Sequence, residues 1–118
     1  MRLAVLLLAT LFAAAANPAA ADEMSGQWTM EGDVQGNQVS LSCTLAQSAD
    51  MKLAGKCEVN GMEVTEVAGD VKEAEFKFSF TVAGYTLVYT GKVQGDTVGG
   101  DIEVAGVTGK FTGKRVKG

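Results

Sequence analysis

The chain has 118 residues, 20% of them charged and 47% hydrophobic, with a formal net charge of −4 and no histidine. The acid excess argues against nucleic acid as a partner, because a phosphate-binding domain needs clustered cations to displace counterions. The lack of histidine removes the commonest general base, and two cysteine thiolates alone make an incomplete zinc shell.

Met1-Arg2 carries one positive charge, an apolar run extends from Leu3 to Ala16, and Asn17-Pro18 leads into Ala19-Ala20-Ala21. This order is that of a cleavable secretory signal, with the cut before Asp22. The run is shorter than the roughly 20 residues a membrane-spanning helix needs. With no cysteine at the cut, lipid anchoring is not expected. The expectation is therefore a signal peptide over 1–21 and one domain over 22–118, periplasmic or secreted, with no transmembrane segment in the processed chain. Loss of Arg2 leaves nine bases against fourteen acids, a formal charge of −5.

From Gly32 onward, turn residues separate short runs of alternating polarity, the pattern of antiparallel strands joined by hairpins. Gly36-Asn37, Ser48-Ala49-Asp50, Asn60-Gly61, Lys72-Glu73, Ala83-Gly84, Gly95-Asp96 and Ala105-Gly106 mark seven turns and hence eight strands. Alternation assigns the inward face. Strand one turns Gly26, Trp28 and Met30 inward, and strand two Val39, Leu41, Cys43 and Leu45. Strand three turns in Leu53, Gly55, Cys57 and Val59, which sets Cys57 opposite Cys43 if the hairpin folds about Asp50. Export to an oxidising compartment lets these two cysteines pair as an internal cross-strand disulfide. In strand four Met62 and Val64 share one parity and Val67, Gly69 and Val71 the other, which predicts a β-bulge.

Strand five is the clearest: Ala74, Phe76, Phe78, Phe80 and Val82 alternate with Glu75, Lys77, Ser79 and Thr81. Tyr85, Leu87 and Tyr89 continue the inward set in strand six, Val98, Gly100 and Ile102 in strand seven, and Val107, Gly109, Phe111 and Gly113 in strand eight. Eight short strands either close into an up-and-down barrel or split into a sandwich. Closure is preferred because it would bring Glu31 and Asp33 of strand one beside Lys110 and Lys114 of strand eight. The fold expected is an all-β, eight-stranded antiparallel up-and-down barrel.

The opening Ser25-Gly26-Gln27-Trp28-Thr29, taken with Lys114-Arg115 at the end of the last strand, resembles the calycin superfamily of lipocalins, avidins and bacterial metalloprotease inhibitors. That resemblance implies that Arg115 packs on Trp28 beside Gly26 and seals one end of the barrel. A guanidinium over an indole contributes about 0.5–2 kcal/mol. The Ser-Gly-Gln-Trp start with its two cysteines looks most like the metalloprotease inhibitors, which act through an N-terminal stalk; here Asp22-Glu23-Met24 alone precede the motif in the processed chain. The glycine-rich second half also looks like small exported bacterial domains, which supply a fold and no activity.

Catalysis is not expected. Glu63 with Glu66, or Asp96 with Asp101, are carboxylate pairs on outward positions or turns, and Gly99-Gly100-Asp101 lacks the spacing of a calcium loop and the lysine of a phosphate loop. No cofactor or metal is implied. The leading expectation is a monomeric binder of a small apolar or amphipathic ligand, lined by Phe76, Phe78, Phe80, Tyr85, Leu87, Tyr89, Ile102 and Phe111. The alternative is a domain with a packed, ligand-free core that contacts an extracytoplasmic protein, as an interaction module or inhibitor. Inward glycines, which leave room or permit strong coiling, suggest a discriminating substitution: Gly100→Leu would be accepted by an open interior and rejected by a filled one.

Overall fold

A computed structural model describes residues 24–116, so the signal segment assigned to 1–21 lies outside the described residues. Eight strands follow in order: β1 Gly26–Val34, β2 Asn37–Gln47, β3 Lys52–Val59, β4 Met62–Lys72, β5 Glu75–Val82, β6 Tyr85–Gln94, β7 Thr97–Val104 and β8 Val107–Arg115. Each pairs antiparallel with its neighbour in sequence, and β8 closes on β1 to complete the barrel. Period-two alternation places Phe76, Phe78 and Phe80 inside while Glu75, Lys77 and Thr81 face water.

The turns alternate between two ends of the barrel. One end carries Gln35-Gly36, Asn60-Gly61, Ala83-Gly84 and Ala105-Gly106, all with positive φ at both residues. Such turns match the right-handed twist of the strands and put glycine second, where positive φ carries no steric penalty. That geometry moves the first turn one residue earlier than Gly36-Asn37. The fourth turn lies at Glu73-Ala74 and not at Lys72-Glu73, with Glu73 at φ 58°.

Between β3 and β4 the register changes from Gly55–Val67 to Cys57–Val64, so Thr65 and Glu66 together face the single residue Lys56. This is the predicted bulge, and it returns Val64 and Val67 to the same buried side despite their opposite parity. Cys43 stands directly across from Cys57, with Cα atoms 4.0 Å apart, and the two are joined by a disulfide.

Pairing at the seam runs from Trp28–Arg115 to Asp33–Lys110. The expected ion pairs across it do not form. Lys110 Nζ lies 2.6 Å from Asp101 Oδ1 on β7. Asp33 instead accepts a hydrogen bond from the Gly36 backbone N–H, and Glu31 accepts one from Ser40 Oγ. A local turn partner and a closer cross-strand partner outcompete the seam contacts, and backbone pairing with apolar closure carries the seam.

Gly100 does not leave room in the interior. A Cβ there would collide with Thr90 O and Gly91 Cα on the adjacent strand. The glycine permits close approach of coiled strands, so Gly100→Leu is excluded by the wall whether or not the interior is filled. Neighbouring Gly99 is different, since its Cβ would meet nothing nearer than Phe111 O at 3.5 Å. Gly100→Ala is expected to destabilise the fold by about 1–3 kcal/mol. Gly99→Ala should stay within about 0.5 kcal/mol of the parent or exceed it. Urea denaturation of both variants checks the contrast, and equal losses would place the crowding elsewhere.

Candidate functional site

The two ends of the barrel differ in what lines them. At the end where β1 begins, Met24 and Trp28 are fully buried. Trp28 Nε1 donates to Met24 O at 3.0 Å, and the Met24 N–H donates to Gln47 Oε1 at 3.0 Å. Above this plug the Arg115 guanidinium lies 4.4 Å from the centre of the Trp28 ring. Arg115 Nη1 donates to Ser25 O at 2.5 Å and Nε to Asp96 Oδ1 at 2.9 Å. Gly26, at φ 125°, sits under that guanidinium, and a Cβ there would lie 3.1 Å from Nη1. Met24, counted by sequence in the short lead before the Ser25-Gly26-Gln27-Trp28 motif, is part of the seal. Its role has no local sequence signature, since it depends on Gln47 arriving from another strand.

The opposite end is ringed by valines. Val34, Val59 and Val64 are buried there, and Val39, Val82, Val104 and Val107 pack half-buried around them. Leu87 and Val64 each keep 6% exposure. Tyr85, expected among the lining residues, is 58% exposed on the rim. Its parity points it as expected, but it directly follows the Ala83-Gly84 turn, and no further layer covers it. Alternation reports direction and not depth. Met62 joins it on the rim at 47% exposure.

Aromatic rings fill the middle. Phe78 and Tyr89 stack at 5.1 Å and 5°, Phe111 meets Tyr89 edge-on at 5.0 Å, and Phe76 and Phe80 extend the stack on either side. Ile102 is fully buried, so seven of the eight expected lining residues are interior: Phe76, Phe78, Phe80, Leu87, Tyr89, Ile102 and Phe111. Within this layer the Tyr89 hydroxyl is buried without a hydrogen-bond partner. Burial pushes its pKa well above the usual phenol range.

The β4–β5 ladder is short near the valine end. The β4–β5 ladder runs from Lys72–Glu75 to Ala68–Ser79 and stops, so Met62–Val67 has no register partner on β5. An outer groove lined by Glu63, Thr65, Glu66, Ala68 and Thr81 follows this break. Of the carboxylate pairs weighed from sequence, Glu63 and Glu66 border this groove and Asp96 and Asp101 do not. Asp96 and Asp101 are engaged with Arg115 and Lys110, and Glu63 and Glu66 are exposed. Among the described residues no cluster of three or more His, Cys, Asp or Glu side chains could hold a metal ion.

An unpaired buried hydroxyl destabilises the folded state by about 1–3 kcal/mol relative to a satisfied one. Tyr89→Phe is therefore expected to raise the stability of the ligand-free protein by about 1 kcal/mol, measured by chemical denaturation. The unfolded chain releases the Tyr89 proton near pH 10 while the folded chain retains it. Above that pH the unfolded state binds fewer protons, so stability falls as pH rises, and Tyr89→Phe should flatten that decline. An unchanged alkaline slope would show that the hydroxyl is not sealed.

No protein-family model matches the sequence, and no curated protein matches it. Three solved structures share the architecture. A de novo designed fluorescence-activating β-barrel superposes with a TM-score of 0.63 at 16% identity, covering 82% of this chain and 97% of its own. A Schistosoma mansoni fatty-acid-binding protein in complex with arachidonic acid gives 0.56 at 17%, covering 83% and 99%. Fatty-acid-binding protein 1 of Echinococcus granulosus gives 0.53 at 17%, covering 80% and 98%. At these identities the likeness is one of fold alone: the chain forms a closed eight-stranded antiparallel barrel.

Proposed function

We propose that this protein is an exported, non-catalytic binder of a small apolar or amphipathic molecule, held between the valine-lined end of the barrel and the aromatic layer. The observation that carries the reading is the buried, unpartnered Tyr89 hydroxyl in an otherwise apolar interior. A polar group in that position awaits a partner that the chain itself does not supply. The sealed end directs any guest to the opposite one, where small β-branched side chains replace rings and the β4–β5 break offers access. Barrels of eight strands can hold one small ligand, and the two parasite proteins that share the architecture are fatty-acid binders by name. Export rests on the order of charge, apolar run and small residues over 1–21.

A second reading draws on a different observation. Met62 and Tyr85 are exposed on the same rim as the uncharged Ala83-Gly84 and Ala105-Gly106 turns. An exposed aromatic with apolar neighbours is the composition of a protein-contact centre. In that case the aromatic layer is simply a packed core, and the protein works from its rim on an extracytoplasmic partner.

Native mass spectrometry of protein recovered from an exporting host separates the two. The carrier reading expects a polypeptide mass beginning at Asp22, plus a small adduct that is lost on denaturation. A bare, oxidised, monomeric mass would favour the rim reading, and a chain still beginning at Met1 would remove export.

A further inference from the structure

We infer that the ligand is an uncharged apolar molecule with a single hydrogen-bonding group, received by Tyr89, and that the barrel discriminates against carboxylates. This rests on the binding reading above and narrows it to a ligand class.

The polar inventory of the interior is short. Gln47 is the one buried polar or charged residue besides the aromatics among the described residues, and its amide is already engaged by the Met24 N–H and by Met51 Sδ. The Trp28 N–H is satisfied by Met24 O. Tyr89 Oη is the only buried side-chain polar atom of the described residues without a hydrogen bond. No lysine or arginine is among the buried residues. Arg115 belongs to the sealed end, where Asp96 and Ser25 O accept its protons, and Lys110 is on the outer wall beside Asp101. An ionised carboxylate carried into this interior would lose its hydration and gain no countercharge. One phenol donor does not offset that loss. A neutral hydroxyl, carbonyl or ether needs a single partner, and Tyr89 supplies one as donor or acceptor.

The charges around the open end act in the same direction. Within three residues of the Gln35-Gly36, Asn60-Gly61, Ala83-Gly84 and Ala105-Gly106 turns, the charged residues are Asp33, Glu58, Glu63 and Glu103, and the nearest cation across the seam is Lys110, opposite Asp33 and paired with Asp101. Glu58 and Glu63 are direct cross-strand partners and so reinforce each other's field. An acidic excess at a mouth repels anions as they approach.

Isothermal titration of the disulfide-bonded protein with 1-decanol, decanoate and decylammonium at neutral pH tests the assignment. The expected result is that 1-decanol binds about tenfold or more tightly than decanoate, and that Tyr89→Phe weakens 1-decanol about five- to tenfold, the equivalent of one lost hydrogen bond. Tyr89→Phe retains the ring and should fold at least as well as the parent, so its loss of affinity is not a folding failure. Decanoate binding as tightly as 1-decanol would overturn the neutral-ligand assignment and leave the carrier reading standing. Decylammonium binding best, with sensitivity to Glu58→Gln and Glu63→Gln and none to Tyr89→Phe, would move the polar contact to the rim and also overturn it. If none of the three probes binds, the carrier reading fails and the ligand class fails with it.

Discussion

An eight-stranded antiparallel sheet left open exposes the unpaired N–H and C=O groups of two edge strands, and here β1 and β8 remove both edges by pairing with each other. Everything inside the barrel depends on that pairing, because only closure makes the inward face of every strand an interior. The seam is held at its lower end by side chains from widely separated parts of the chain. Trp28 begins it, Arg115 ends it, and the Arg115 guanidinium covers the indole while donating to Ser25 O and Asp96. Met24 and Gln47 complete the layer with hydrogen bonds, so the sealed end is a polar network stretched over an apolar floor.

The interior above that floor is graded. Rings occupy the middle, where Phe78, Tyr89 and Phe111 contact one another, and short β-branched side chains line the far end. Packed rings stabilise the barrel through burial and oriented stacking, whereas the unpartnered Tyr89 hydroxyl works against stability in the same layer. A phenylalanine would fill the same volume without that penalty. A tyrosine at such a position is intelligible if the hydroxyl has a use outside the resting fold, and on the binding reading the acidic excess at the rim would limit which guests reach it.

Much of this architecture is legible in the sequence because strand periodicity is a strictly local signal. The run from Ala74 to Val82 displays its two faces without reference to any other residue, the Asn60-Gly61 turn specifies its own geometry, and the parity change between Val64 and Val67 identifies the bulge. The Cys43–Cys57 pairing follows once the hairpin is centred on Asp50. What escapes the sequence is whatever depends on depth or on competition. Tyr85 has inward parity but lies too close to the rim to be covered. Lys110 faces Asp33 in register yet pairs with Asp101. Gly100 reads as a gap in the interior and is in fact a site that a neighbouring backbone closely approaches. Met24 belongs to the seal only because a distant glutamine receives its N–H.

The four turns at the open end comprise two residues each, and none is long enough to fold across the mouth. On the binding reading, a mouth that no described segment covers would exchange its guest at the rate at which wall side chains part, with no slower gating step imposed by a moving segment. Occupancy would then follow the free concentration of the guest closely in time. On that reading the protein would be suited to buffering a molecule in its surroundings, and poorly suited to storing one against a falling supply.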